Sequence, residues 1–182
     1  QHVVKNGSLL EVIFSTDHVT DISPVRALKG SYRLDLSSGY GRQGQLKDLS
    51  PLSGMRLNNL TLTDVRVSDL SPLQQMPLQV LNLARTAVTD LSALRGLALK
   101  SLWMDQTPIT DLSPLQQMPL EVLNLRDTYT VDVTPLAEMP LKELALDFSP
   151  QLDTKVLRSI GTLETINGKP PSDFYEQIES YQ

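Results

Sequence analysis

At 182 residues, with 40% hydrophobic and 20% charged side chains, the chain is long enough for one domain with a substantial core and too apolar to be disordered. Its 16 basic residues are scattered among 21 acidic ones for a net charge of −5, without the Lys/Arg run that would meet nucleic acid. The absence of cysteine excludes disulfides and thiolate chemistry, and no stretch approaches the roughly 18 apolar residues of a membrane span.

In chain order, His2 to Ser8 reads as a strand or turn leading into a degenerate first copy of a pattern at Leu9, Val12 and Phe14. The string Asp-Leu-Ser-Pro-Leu begins at Asp48, and near copies follow every 21 residues at Asp69, Asp90, Asp111 and Asp132. A related string begins at Asp21, six residues too early, and the extra residues fall in the Gly-rich stretch from Ser37 to Gly44. One enlarged surface loop around Gly39–Gln45, with Tyr40 in it, is therefore expected, and its role is open.

A second motif runs between these strings. Leu78, Leu81, Leu83, Thr86 and Val88 have the form LxxLxLxxTxV. Leu99, Leu102, Met104, Thr107 and Ile109 repeat it, as do Leu120, Leu123, Leu125 and Thr128. Leu57, Leu60, Leu62 and Val67 carry Val65 in place of the Thr, and Leu141, Leu144 and Leu146 end with Ser149. The period of two in Leu81-Asn82-Leu83 predicts a short strand with its leucines on one face and Asn82 on the other. Ser71-Pro72 and Ser113-Pro114 are expected to open a single helical turn, with Ser as N-cap and Pro first in the turn. Met76-Pro77 and Met118-Pro119 stop it, so only one 3-10 or α turn fits. At the C-terminus, Thr154–Ile160 and Ser172–Tyr181 read as helices, the second with Ser172 as N-cap and with Phe174 and Ile178 four apart on one face.

These repeats, over about residues 9–150, resemble the leucine-rich repeat family, whose units of about 20–29 residues carry the pattern LxxLxLxxNxL. The short strand and the Asp-Leu-Ser-Pro-Leu turn look most like internalin-type bacterial repeats with one residue fewer per unit. The segment Val19–Leu28 and the ending Leu157–Pro170 are similar to those of repeat domains in large planctomycete-type bacterial proteins, where a Ser/Thr kinase is often attached; no kinase motif is present in this chain. The family's Asn is Thr here, and a hydroxyl can do only part of its bonding, so a tighter, partly water-satisfied turn is expected. The resemblance implies an α/β, right-handed solenoid. It would have a parallel sheet on the concave face, short 3-10 or α turns on the convex face, and a helical C-terminal cap. Within one domain, residues 1–20 would form an N-terminal cap and partial repeat, 21–151 the repeats and 152–182 the C-terminal cap. No unit can bury its apolar side chains alone, so stability should come from stacking.

If the leucines face inward, the residues between them form three outward columns. The middle one runs Ile13, Asp35, Thr61, Asn82, Trp103, Asn124, Ala145; its neighbours hold Glu11, Arg33, Asn59, Val80, Ser101, Val122, Glu143 on one side and Ser15, Ser37, Thr63, Ala84, Asp105, Arg126, Asp147 on the other. Trp103, the only tryptophan, is central, with Val80 and Val122 beside it. An exposed tryptophan is a frequent interface anchor, so Trp103, Val80, Asn82, Val122 and Asn124 are the candidate partner-binding residues. Arg126 between Asp105 and Asp147, with Arg85 nearby, adds a charged strip that a partner would use, or that is a solvated ladder of ion pairs.

The column of six aspartates lacks the Gly-containing multi-oxygen loop of a calcium site and is read as turn capping. His2 and His18 have no nucleophile or oxyanion donor assembled beside them, so no catalytic residue, metal or cofactor is expected. The expected function is a non-catalytic, monomeric protein-binding module within a larger bacterial protein, in the cytoplasm or at the envelope, since Gln1 in place of Met implies a processed or excised chain. The alternatives are an extracellular internalin-like adhesion domain and a passive spacer.

Overall fold

Three-residue strands recur at each LxL motif because the two leucines need one common interior and the residue between them does not. The computed structural model describes residues 2–5, 8–28, 33–39, 41–149 and 152–179. Its strands are β1 (His2–Lys5), β2 (Ser8–Ile13), β3 (Arg33–Asp35), β4 (Asn59–Thr61), β5 (Val80–Asn82), β6 (Ser101–Trp103), β7 (Val122–Asn124), β8 (Glu143–Ala145) and β9 (Thr165–Ile166). They form one sheet in chain order, antiparallel between β1 and β2 and parallel from β2 onward. Register is in step throughout: Leu34, Leu60, Leu81, Leu102, Leu123 and Leu144 pair in sequence and are all buried. Leu36, Leu62, Leu83, Met104, Leu125 and Leu146 form a second buried column two residues on.

The units of β4 to β7 then turn back through a residue with positive φ, at Asp64, Arg85, Gln106 and Asp127. The threonines that replace the family's Asn lie just after it. Thr86, Thr107 and Thr128 donate their hydroxyls to the carbonyls of Leu83, Met104 and Leu125 within the same unit. Each hydroxyl supplies the donor an amide would offer, and that of Thr128 also accepts from Thr130 N–H at 3.5 Å.

The opposite edge consists of 3-10 turns at Ser23–Ala27, Ser50–Leu52, Ser71–Leu73, Ser92–Leu94, Ser113–Leu115 and Thr134–Leu136. The expected Ser N-cap is corrected here. Ser is the first residue of the turn, and the residue before it, such as Leu70, gives no side-chain cap. The capping oxygen comes from the preceding Asp: Asp69 accepts from the Ser71 backbone N–H at 2.8 Å and from the Ser71 hydroxyl at 2.9 Å. The same arrangement recurs at Asp48, Asp90, Asp111 and Asp132, because a short carboxylate reaches the second N–H ahead without leaving its own backbone. Those bonds hold the carboxyls of Asp21, Asp69, Asp90 and Asp132 below the usual carboxylate range.

The C-terminal end is closed by helices α1 (Thr154–Ser159) and α2 (Pro171–Glu179). The second starts one residue earlier than expected, with Pro171 in its first turn, so Ser172 lies inside the helix rather than at its N-cap. Tyr181 lies outside the described residues, as does Tyr40 of the enlarged loop. Phe174 and Ile178 are buried against the last unit, as their spacing predicts. Tyr175 packs beside Phe174 at 5.9 Å between ring centroids, with the Arg158 guanidinium 4.0 Å above its ring.

Strand β9 is absent from the expected elements. It pairs with β8 and ends in a tight turn at Asn167-Gly168, where both φ angles are positive. Beyond it the Asn167 side chain replaces a strand: its Oδ1 accepts from Leu146 N–H at 3.1 Å and its Nδ2 donates to the Leu146 carbonyl at 2.9 Å. A side-chain amide thus takes the place of the peptide group that a further repeat would supply.

Candidate functional site

Two of the three expected outward columns pair residue by residue; in the third, Ala84 is a correction, buried beside Leu83 rather than facing out. Ile13, Asp35, Thr61, Asn82, Trp103, Asn124 and Ala145 pair one to the next across the sheet, and so do Glu11, Arg33, Asn59, Val80, Ser101, Val122 and Glu143. Trp103 is half-buried in β6, between Asn82 of β5 and Asn124 of β7, with Val80 and Val122 in the adjoining column. Among the described residues no hydrogen bond engages its indole N–H.

The middle column has a structural duty as well. Asp35, Asn82 and Asn124 each accept a hydrogen bond from the backbone N–H two residues ahead, at Ser37, Ala84 and Arg126. This anchors their Oδ1 atoms at the strand ends. Asn124 also donates through Nδ2 to Asp105 at 3.0 Å, whereas no described residue accepts from Asn82 Nδ2. Trp103 interrupts this series of capping side chains, so its presence is not explained by the strand end it occupies.

The charged strip differs from expectation. Arg126 does not pair with Asp105 or Asp147; its Nε and Nη2 donate to Asn167 Oδ1 at 3.2 and 3.1 Å, two strands away. Asp147 instead accepts from the Asp127 backbone N–H. The ion pairs centre on Arg85, which meets Asp64 through Nε and Nη2 at 2.8 and 2.9 Å and lies 3.7 Å from Asp105. Asp64, only 7% exposed, was not a candidate from sequence. The signal for it was weak: it is an unremarked residue between Thr63 and Val65, and only the turn places its carboxylate against Arg85 of the next unit. A second ladder lies at the opposite side of the sheet, where Glu121 stands between Lys100 at 3.9 Å and Lys142 at 2.6 Å. The Lys142 ammonium holds the Glu121 carboxyl low, and Glu121 in turn raises the Lys142 ammonium.

The enlarged loop is packed down onto the preceding unit. Asp17 Oδ1 accepts from the Ser38 hydroxyl at 2.6 Å and from Gly39 N–H at 2.7 Å, and Gly44 N–H donates to the Asp64 carbonyl. His18 is exposed. Among the described residues no three His, Cys, Asp or Glu side chains converge as a metal site requires, and no helix is long and apolar enough to cross a membrane. The aspartate column is occupied residue by residue with its own turns.

No family model matches the sequence, and no curated protein matches it either. Solved structures do. An internalin (inlF) from Listeria monocytogenes superposes with a TM-score of 0.72 at 28% identity, over 86% of this chain and 46% of its own. Internalin C2 (inlC2) from the same species gives a TM-score of 0.72 at 26% identity, over 85% of this chain and 69% of its own. The chain is a leucine-rich-repeat solenoid. In this leucine-rich-repeat domain the leucines build the stack and the residues between them are released from that task. The chain spans less than half the length of the first of these internalins.

Proposed function

We propose that this solenoid is a non-catalytic protein-binding module of a larger bacterial protein, and that its partner docks on the outward, concave face of the sheet around Trp103. The observation that carries the reading is Trp103 itself. It is the only tryptophan, lies in the middle of a registered surface, stands where neighbouring units place a capping Asn, and has no described partner for its indole N–H. An aromatic ring of this kind supplies large contact area at low entropic cost and one hydrogen-bond donor. Val80 and Val122 extend the apolar area, and Asn82, Asn124, Asp105, Arg126 and Arg85 form its polar rim. The internalin-like fold supports binding of a protein over catalysis. The chain is taken to act as a monomer, since the outer edge of β9 is covered by Lys169, which exchanges both backbone hydrogen bonds with Ile166.

The test is to recover a partner by pull-down with the 182-residue protein and to measure its affinity for the Trp103→Ala variant. A loss of about tenfold or more is expected, corresponding to a buried aromatic anchor. Trp103 fluorescence should also shift to the blue when the partner is added to the unmodified protein. Equal affinity of the variant and a static emission spectrum would remove this face from consideration.

A further inference from the structure

Outside the sheet face, one unit breaks the repeat in a way the core does not require. At three successive positions the earlier units carry an exposed or half-exposed residue, a buried aliphatic and an exposed polar residue: Arg66-Val67-Ser68, Ala87-Val88-Thr89 and Pro108-Ile109-Thr110. The next unit has Tyr129-Thr130-Val131. The aliphatic has moved outward and a threonine has taken its inward place. Tyr129 is 71% exposed and Val131 53%, while Thr130 donates its hydroxyl to the Ile109 carbonyl at 3.4 Å. Threonine is less apolar than the Val or Ile it replaces, so this exchange costs burial and returns only one long hydrogen bond.

Beside these residues lies a hollow of about 290 Å³. Tyr129, Val131 and Leu152 form apolar walls, and Thr130, Ser149 and Asp147 contribute polar groups. Asp147 is the only charged residue lining it among the described residues. The volume lies at the lower limit of small-ligand pockets, about 300–1,000 Å³, and suits one projecting side chain better than a whole cofactor. An aromatic face, an aliphatic wall and a carboxylate together complement a guanidinium on an apolar stem: the plane stacks on the ring, the stem covers the valine and the N–H groups meet the carboxylate.

We infer that the Tyr129–Val131–Asp147 hollow is a docking site for an arginine side chain presented by a protein partner. None of the residues named around Trp103 lines it, although Asp147 ends one of the columns of the same face. The probe is N-acetyl-arginine N-methylamide, titrated at low salt into the 15N-labelled 182-residue protein, with the citrulline analogue as its uncharged counterpart. Amide shifts should concentrate at Tyr129, Thr130, Val131 and Ser149. Binding should be roughly threefold to fivefold weaker for citrulline and for the Asp147→Asn variant, which keeps the acceptor for Asp127 N–H. Tyr129→Ser, which returns the site to the polar surface of other units, should weaken it similarly. Equal responses to both probes, shifts centred on Trp103, or no shifts at the hollow would overturn the assignment. The comparison of probes on the unmodified protein holds whether or not either variant folds.

Discussion

Gly44 lies against the loop that precedes it: a Cβ there would sit 2.9 Å from the Thr16 carbonyl oxygen and 3.0 Å from Ser38 Cβ. Neither neighbour can give way, because Thr16 is buried and donates its hydroxyl to Leu36, and Ser38 is held by Asp17. Gly54 is a contrasting case, with φ at +76° and open space around its Cα. Gly44→Ala should therefore lower stability by about 1–3 kcal/mol through overpacking, and Gly54→Ala by about 1 kcal/mol through backbone strain alone. Urea midpoints of the two variants would check this, and a larger loss at Gly54 would contradict the packing of the enlarged loop. The same backbone position shows why some residues could not be read from sequence. Gly54 and Gly96 alternate with Gln75 and Gln117 at one recurring turn, all with positive φ. A glutamine gives no sign that its backbone is left-handed, whereas a glycine does.

At the scale of the strand, a one-residue difference decides everything. Leu102 is fully buried and Ser101, beside it in β6, faces outward. Leu102→Asp should destabilise by about 4 kcal/mol or more, since a carboxylate would enter a core with no cation to meet it. Ser101→Asp should change stability by about 0.5 kcal/mol at most. Thermal unfolding of both variants distinguishes them; similar melting temperatures would refute the facing of the strand. The alternation that supports this was legible because LxL recurs in the successive units, and the two buried columns of Leu34–Leu144 and Leu36–Leu146 follow from it. The cap was read only in part. Both helices were visible in the spacing of Phe174 and Ile178 and in the Thr154–Ile160 segment, but β9 was not. A two-residue strand has no periodicity of its own; it exists because Lys142 and Leu144 present carbonyls to Glu164, Thr165 and Asn167.

Across the whole molecule, charge is used for local turns and cross-unit ladders, and this sets the response to pH. The carboxyls of Asp21, Asp69, Asp90 and Asp132, and of Glu121, lie lower in the fold than in the free chain. Their contribution is complete above the unfolded carboxylate values, about 3.9–4.3, and is lost as pH falls through the lower folded values. Lys142 is shifted the other way, so its contribution is complete below about 10.4 and disappears as pH rises through the higher folded value. Stability should therefore be flat between about pH 5 and 10 and decline on both sides. Urea midpoints measured across that span provide the check, and a protein most stable near pH 3 would show that the aspartate turns contribute nothing.

The amino-acid order alone determined the repeat, its length of 21 residues, the inward and outward faces and the two cap helices. These depend on local periodicity and on turn residues within a few positions of one another, and every unit states them again. Tertiary structure alone decided which charges meet. Arg126 goes to Asn167 and not to its column neighbours, and Asp64 is drawn to Arg85. Long polar side chains have several partners within reach, and the choice among them rests on differences of an ångström or less in where the stacked backbone places each donor, a quantity that spacing along the chain does not contain.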